Sequence, residues 1–335
     1  MDKILIGKKD VVWSYAGSFF KLTSNIILLP FMLHFLSDDD LGMWYVFGTI
    51  AQFVVLLDFG FAPALSRNIS YVWCGADSLK KEEIATNITQ ETNFIEFKRI
   101  LTTCRYIYLT LSIVAFILLS TFGTWYILSL NATETRILLS WIIFGLGVIL
   151  NLYYSYFTSF LRGVGAIAEN NIAGVISKLI QIILTCFLLY SGLGILGVSI
   201  GYFISGFALR IYSIRAFHNY SNIGSNLNKV KDKTKLTYIW DMFLIIWHNA
   251  SKEGLIMISN FLTSQANTLI CSSVLGLSTT GSYGLSVQLA TAICGIAGIP
   301  YATYQPKILE RIMNNDVEGS LRIFSFSINV SNLSI

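Results

Sequence analysis

Three charged residues in this chain stand where charge is expensive. Lys21, Asp58 and Lys178 each lie inside a long apolar stretch. A charge near the centre of a bilayer costs from about 3 to above 10 kcal/mol, so those that persist line a cavity or find a partner. The neighbours of the lysines are polar at helical spacing. Ser14, Ser18, Lys21 and Asn25 follow steps of four, three and four and share one helix face. Asn171, Gly174, Lys178, Gln181 and Thr185 repeat the pattern, and so do Glu253, Asn260, Ser264 and Asn267. Serines, threonines and asparagines alone would read as hydrogen-bonding glue between membrane helices. The mid-span lysines turn the expectation toward a polar cavity, with Lys21, Asn25, Lys178, Gln181, Asn260 and Asn267 as its substrate-binding set. Two ammonium groups favour an anionic guest, phosphate foremost. Asp58 either forms a static ion pair with one lysine or takes up a proton or sodium ion during a transport cycle. Arg67, Arg105 and Arg210 fall near span ends, as anchors or as recruiters of an anionic headgroup. His34, also near a span end, is a weaker proton-relay candidate.

The rest of the composition sets the elements that must carry these residues. Charged residues are 13% of the chain and hydrophobic ones 54%, with a mean hydropathy of +0.63. Soluble domains carry about 25% charge. Stretches of about 20 apolar residues cross a bilayer, and they occur at 11–36, 41–65, 103–127, 137–157, 171–191, 194–214, 254–275 and 283–304. The expected fold is an all-α membrane protein, a polytopic helical bundle of eight complete transmembrane helices, with a partial ninth beginning near residue 320. Lysine and arginine crowd the connections on one side, in Lys3–Lys9, Lys80–Arg99, Arg215–Lys252 and Lys307–Arg322. The other side carries Arg136 and the acidic turn Asp38–Asp40. The positive-inside rule therefore places the N-terminus in the cytoplasm. The first apolar segment reads as a span and not as a cleavable signal peptide. The net charge of +4 follows from this bias and implies no nucleic acid.

Residues 1–214 are expected to form a six-helix N-terminal lobe, 215–252 a basic cytoplasmic linker and 253–335 a partial C-terminal lobe. Residues 79–101 suit an amphipathic surface helix or a solvated loop. No loop is large enough for a catalytic domain. Five cysteines lack paired or metal-like spacing and read as packing residues. HExxH, P-loop and GxSxG motifs are missing from the sequence, so no metal, cofactor or soluble-enzyme chemistry is expected.

A faint internal echo links Gly42-Met43-Trp44 with Gly281-Ser282-Tyr283, and the same offset sets Lys21 over Asn260. Related lobes with substrate at their interface are a common transporter plan. The segments Trp13-Ser14-Tyr15-Ala16, Leu41-Gly42-Met43-Trp44-Tyr45 and Leu56-Leu57-Asp58-Phe59-Gly60-Phe61, with Gly281-Ser282-Tyr283, Gln288 and Pro300, resemble the Wzx-type O-antigen flippases of the multidrug/oligosaccharidyl-lipid/polysaccharide exporter superfamily. The resemblance covers nearly the whole chain as a hydropathy pattern. It implies a two-lobed bundle with a central cationic cavity in the bacterial inner membrane. It implies movement of an undecaprenyl-pyrophosphate-linked repeat unit from the cytoplasmic to the periplasmic leaflet by alternating access, coupled to a proton or sodium gradient. Polysaccharide polymerase and chain-length regulator would be its partners. Family members have about twelve or more spans, so the resemblance implies an incomplete, C-terminally truncated second lobe here. Rival expectations are a multidrug-type exporter, which would favour acidic mid-membrane residues, a membrane-embedded O-unit polymerase, which would need a large extracytoplasmic loop, and a non-transporting relic or assembly partner.

Overall fold

A computed structural model describes residues 8–76, 92–130, 134–230, 236–264, 266–313 and 317–333. These residues form helices and no extended strand. Most of the expected amphipathic segment 79–101 lies outside them. The helices are α1 (Lys8–Phe35), α2 (Asp38–Leu57), α3 (Phe61–Trp73), α4 (Phe94–Leu118), α5 (Thr124–Ser129), α6 (Thr135–Tyr154), α7 (Tyr156–Gly163), α8 (Ile167–Tyr190), α9 (Gly194–Asn219), α10 (Ile223–Lys229), α11 (Leu236–Ser264), α12 (Ala266–Val274), α13 (Leu277–Met313) and α14 (Val317–Leu333). By length and composition, 5 stretches among the described residues suffice to cross a membrane: Asp38–Leu57, Phe94–Ser129, Thr135–Gly163, Ile167–Tyr190 and Gly194–Lys229. Their outer surfaces are apolar; Ile183 is 68% exposed and Phe187 65%. Such a surface suits hydrocarbon better than water.

The helices depart from the expected spans where backbone chemistry intervenes. The second span, expected to be continuous over 41–65, breaks at Asp58–Gly60. Phe59 and Gly60 have φ of 43° and 76°, the left-handed region that ends a helix. Pro63 then sits in the first turn of α3, where its missing N–H costs nothing. The stretch 215–252 is largely helical. It holds the end of α9, all of α10 and the first half of α11. α13 continues past Pro300, and α14 occupies the region of the expected ninth span.

Pairwise contacts sort the helix ends onto two faces. Arg136 at the start of α6 pairs with Asp40 at the start of α2, 3.0 Å apart. Gly194 at the start of α9 lies beside the same guanidinium. Phe35 and Tyr190 bring the ends of α1 and α8 together, with ring centroids 6.4 Å apart. The Tyr126 hydroxyl donates to the Leu269 carbonyl, 2.6 Å, joining the end of α5 to α12. On the opposite face, Lys98 Nζ donates to the carbonyls of Leu227 and Val230 at 3.2 and 2.6 Å. Thr92 there donates to the Trp73 carbonyl at 2.9 Å. Phe97 stacks on Phe217 with centroids 6.3 Å apart. One face therefore carries Asp38–Asp40 and Arg136, and the other carries Lys98, Arg99, Arg215 and Lys229.

The echoed segments meet each other. α2 and α13 run parallel and touch through two glycines. A Cβ on Gly42 would collide with the Leu277 carbonyl, and one on Gly281 would come within 3.2 Å of the Asp38 carbonyl. Asp38 and Leu277 stand at the same offset as Gly42 and Gly281. The contact is thus reciprocal, as a local two-fold axis requires. Tyr45 packs on Gly284, its own counterpart, and its hydroxyl donates to Gln288 Oε1 at 2.9 Å. Gly42→Val is therefore expected to destabilise the protein by about 1–3 kcal/mol, the usual cost of overpacking. The check is thermal unfolding in detergent, together with disulfide trapping between cysteines placed at Tyr45 and Gln288. A transition and trapping yield equal to those of the parent would contradict the seam.

Candidate functional site

The lysine-bearing helices α1 and α8 pack side by side. Gly17 faces Asn171, where an added Cβ would lie 2.9 Å from the Asn171 side chain. With Phe35 beside Tyr190 at the far end, the two helices are parallel. This register sets the Lys21 and Lys178 positions about two residues, or roughly 3 Å of rise, apart. The side chains of Lys21 and Asn25 lie outside the described residues. Lys178 is half-buried and donates from Nζ to Oε1 of the buried Gln181 at 3.0 Å. The i,i+3 spacing places both on one face, and Asn171, seven residues before Lys178, is on that face too. The polar stripe of α8 thus lies toward α1 at Gly17. Glycine at position 17 permits the close approach, as small residues do in membrane interfaces.

Asp58 stands apart from this seam. It is 9% exposed and occupies the turn between α2 and α3. One carboxylate oxygen accepts from the Tyr108 hydroxyl at 2.5 Å, and the other accepts from the Ala62 N–H at 3.1 Å. Its hydrogen bonds come from α4 and from the first turn of α3, and not from Lys178. The carboxyl group also sits at the positive end of α3. Spacing offers Asp58 two lysines as candidate ion-pair partners; Tyr108, fifty residues distant, carries no spacing signal.

Arg210 is also placed differently from a span-end anchor. α9 runs on to Asn219, so about 14 Å of helix follows Arg210. The side chain is 5% exposed. Its Nη2 donates to Asn151 Oδ1 at 3.1 Å and, more weakly, to the Gly147 carbonyl at 3.4 Å, both on α6. Asn151 in turn donates to the Tyr202 hydroxyl at 3.2 Å. Nε and Nη1 have no hydrogen-bond partner among the described residues. The guanidinium lies over the rings of Phe207 and Tyr154, 4.7 and 5.9 Å from their centroids, which offsets part of the cost of its burial.

The remaining candidates are more open. Arg67 is exposed on α3. Asn260 on α11 and Asn267 on α12 are exposed, and Asn267 donates weakly to the Thr263 carbonyl at 3.5 Å. α11 packs against α2, α3, α4 and α12, so the third polar stripe is not at the α1–α8 seam. His34 is exposed near the end of α1. No group of three or more His, Cys, Asp or Glu side chains suited to a metal ion occurs among the described residues.

Tyr108→Phe removes one of the two bonds that hold the Asp58 carboxylate, and should cost about 1–3 kcal/mol by leaving a buried acceptor unmade. Ala62→Pro, which deletes the other donor, should add to that loss. Thermal unfolding of the two variants is the check; transitions unchanged in both would mean that the turn does not depend on Asp58. The chain matches no known family model, no curated protein and no solved structure.

Proposed function

We propose that this protein is a flippase of the bacterial inner membrane. On this reading it moves an undecaprenyl-pyrophosphate-linked repeat unit from the cytoplasmic to the periplasmic leaflet by alternating access. The N-terminus is cytoplasmic, eight helical passes and the start of a ninth form two lobes, and a proton or sodium gradient drives the cycle. Polymerase and chain-length regulator act on the delivered unit. The observation that carries the reading is the α1–α8 seam, which sets two lysine positions at nearly one depth between parallel helices. Lys178 is held by Gln181, and a pyrophosphate passing along the seam would meet its ammonium group. The sorting of Lys98, Arg99 and Lys229 to one face supports the sidedness. Asp58, kept in place by Tyr108, serves the coupling ion or balances charge. Arg67, on the exposed side of α3, gathers anionic headgroups.

Charge-assisted hydrogen bonds contribute about 1.5–3 kcal/mol each. Lys21→Ala combined with Lys178→Ala is therefore expected to slow translocation by at least about tenfold, while the double arginine variant keeps most of the rate. The assay is translocation of a labelled undecaprenyl-pyrophosphate oligosaccharide in proteoliposomes. An unchanged rate in the double alanine variant would sink the proposal.

A further inference from the structure

Arg210 carries a charge that the described residues do not neutralise. The side chain is 5% exposed, and no carboxylate pairs with it among the described residues. Its two acceptors, Asn151 Oδ1 and the Gly147 carbonyl, both take Nη2. Nε and Nη1 are left without one among the described residues. The rings of Phe207 and Tyr154 screen the charge but offer no lone pair to its N–H groups. The surroundings add donors and not acceptors. Tyr202 accepts from Asn151 and keeps its own O–H to donate. Ser213 is buried, and its hydroxyl also has no partner among the described residues. The i,i+3 spacing puts Ser213 beside Arg210 on one face of α9. A buried cation left uncompensated is strongly destabilising, and a cluster with spare donors calls for an anion.

Depth separates a free ion from a lipid headgroup. Gly147 and Asn151 lie about 17 and 23 Å of helix rise beyond Arg136, which marks the acidic face. On the basic side, about 14 Å of α9 separates Arg210 from Asn219. The side chain reaches away from that basic end, because Gly147 stands one turn nearer the Arg136 face than Asn151 does. An arginine that gathers headgroups extends the opposite way, toward the interface. The guanidinium therefore sits at hydrocarbon depth, out of reach of a phosphate anchored at either face. What fits is a small mobile ion. One guanidinium needs one negative charge, and a monovalent ion sheds its water at less cost than a doubly charged one.

We propose that a small monovalent anion, chloride in ordinary salt, binds between α6 and α9 against Nε and Nη1 of Arg210, with Ser213 as a further donor on the same face. Phe207 is exposed on its outer side, so its ring is able to turn and make room at the guanidinium edge. Gly206 lets the helices approach closely here; a Cβ on it would lie 2.8 Å from Asn151 Oδ1 and 3.1 Å from Arg210 Nη2. The ion is a structural counter-charge that ties α6 to α9. The site is separate from the lysine seam of α1 and α8 and stands whether or not a lipid-linked sugar is moved.

The test is thermal unfolding of the full chain in detergent, in sodium chloride and in sodium gluconate at equal ionic strength. Binding of radioactive chloride is measured alongside by equilibrium dialysis. The transition is expected to climb with chloride concentration, as a ligand of the native state requires. Bromide should replace chloride, and the bulkier gluconate should not. Asn151→Asp puts a carboxylate beside the guanidinium in place of the amide. It should bring the transition in gluconate up to that of the parent in chloride, remove the chloride response and lower bound chloride by at least about tenfold. Arg210→Met should lose bound chloride as well. A parent transition equal in the two salts, with no chloride bound, overturns the site. A chloride response and chloride binding that both persist in Asn151→Asp overturn it too.

Discussion

Hydrocarbon offers no hydrogen bonds, so each backbone amide of a membrane-embedded chain must find its partner within the protein. The turn at Asp58–Gly60 is where this constraint bears hardest, because a helix break frees amides and carbonyls at mid-span. The chain answers with a carboxylate. Asp58 accepts the Ala62 N–H at the start of α3 and is itself held by Tyr108 of α4. Phe59, thrown into the left-handed region by the same turn, projects onto Trp247 and packs against Gly254 of α11. One local requirement of backbone chemistry thus positions α3, α4 and α11 relative to one another.

The two kinds of buried charge are kept apart by this arrangement. Lys178 lies on α8 beside α1, where a glycine allows close approach and the Gln181 side chain holds the ammonium group. The carboxylate faces α4, and the buried guanidinium of Arg210 faces α6. The fold satisfies the aspartate with a phenol and a backbone amide, and holds Lys178 with Gln181.

Much of this was legible in the residues. The all-helical character, the apolar exterior and the separation of basic from acidic connections all follow from composition and spacing. The Lys178–Gln181 pair follows from i,i+3 geometry. The break in the second span was written in Gly60 and Pro63, but the hydropathy of Leu56 to Ala64 masked it. The start of α11 at Leu236 was hidden by the lysines just before it, which gave Trp240 to Lys252 the look of a linker. Tyr108, Asn151 and Tyr202 carry no sequence signal, because each joins its charged partner from another helix at a separation that no periodicity encodes.

The reciprocal seam of α2 and α13 also fixes a register. A slide of α13 along α2 by one turn would part both close glycine approaches together, so the two halves of the contact hold or fail as one.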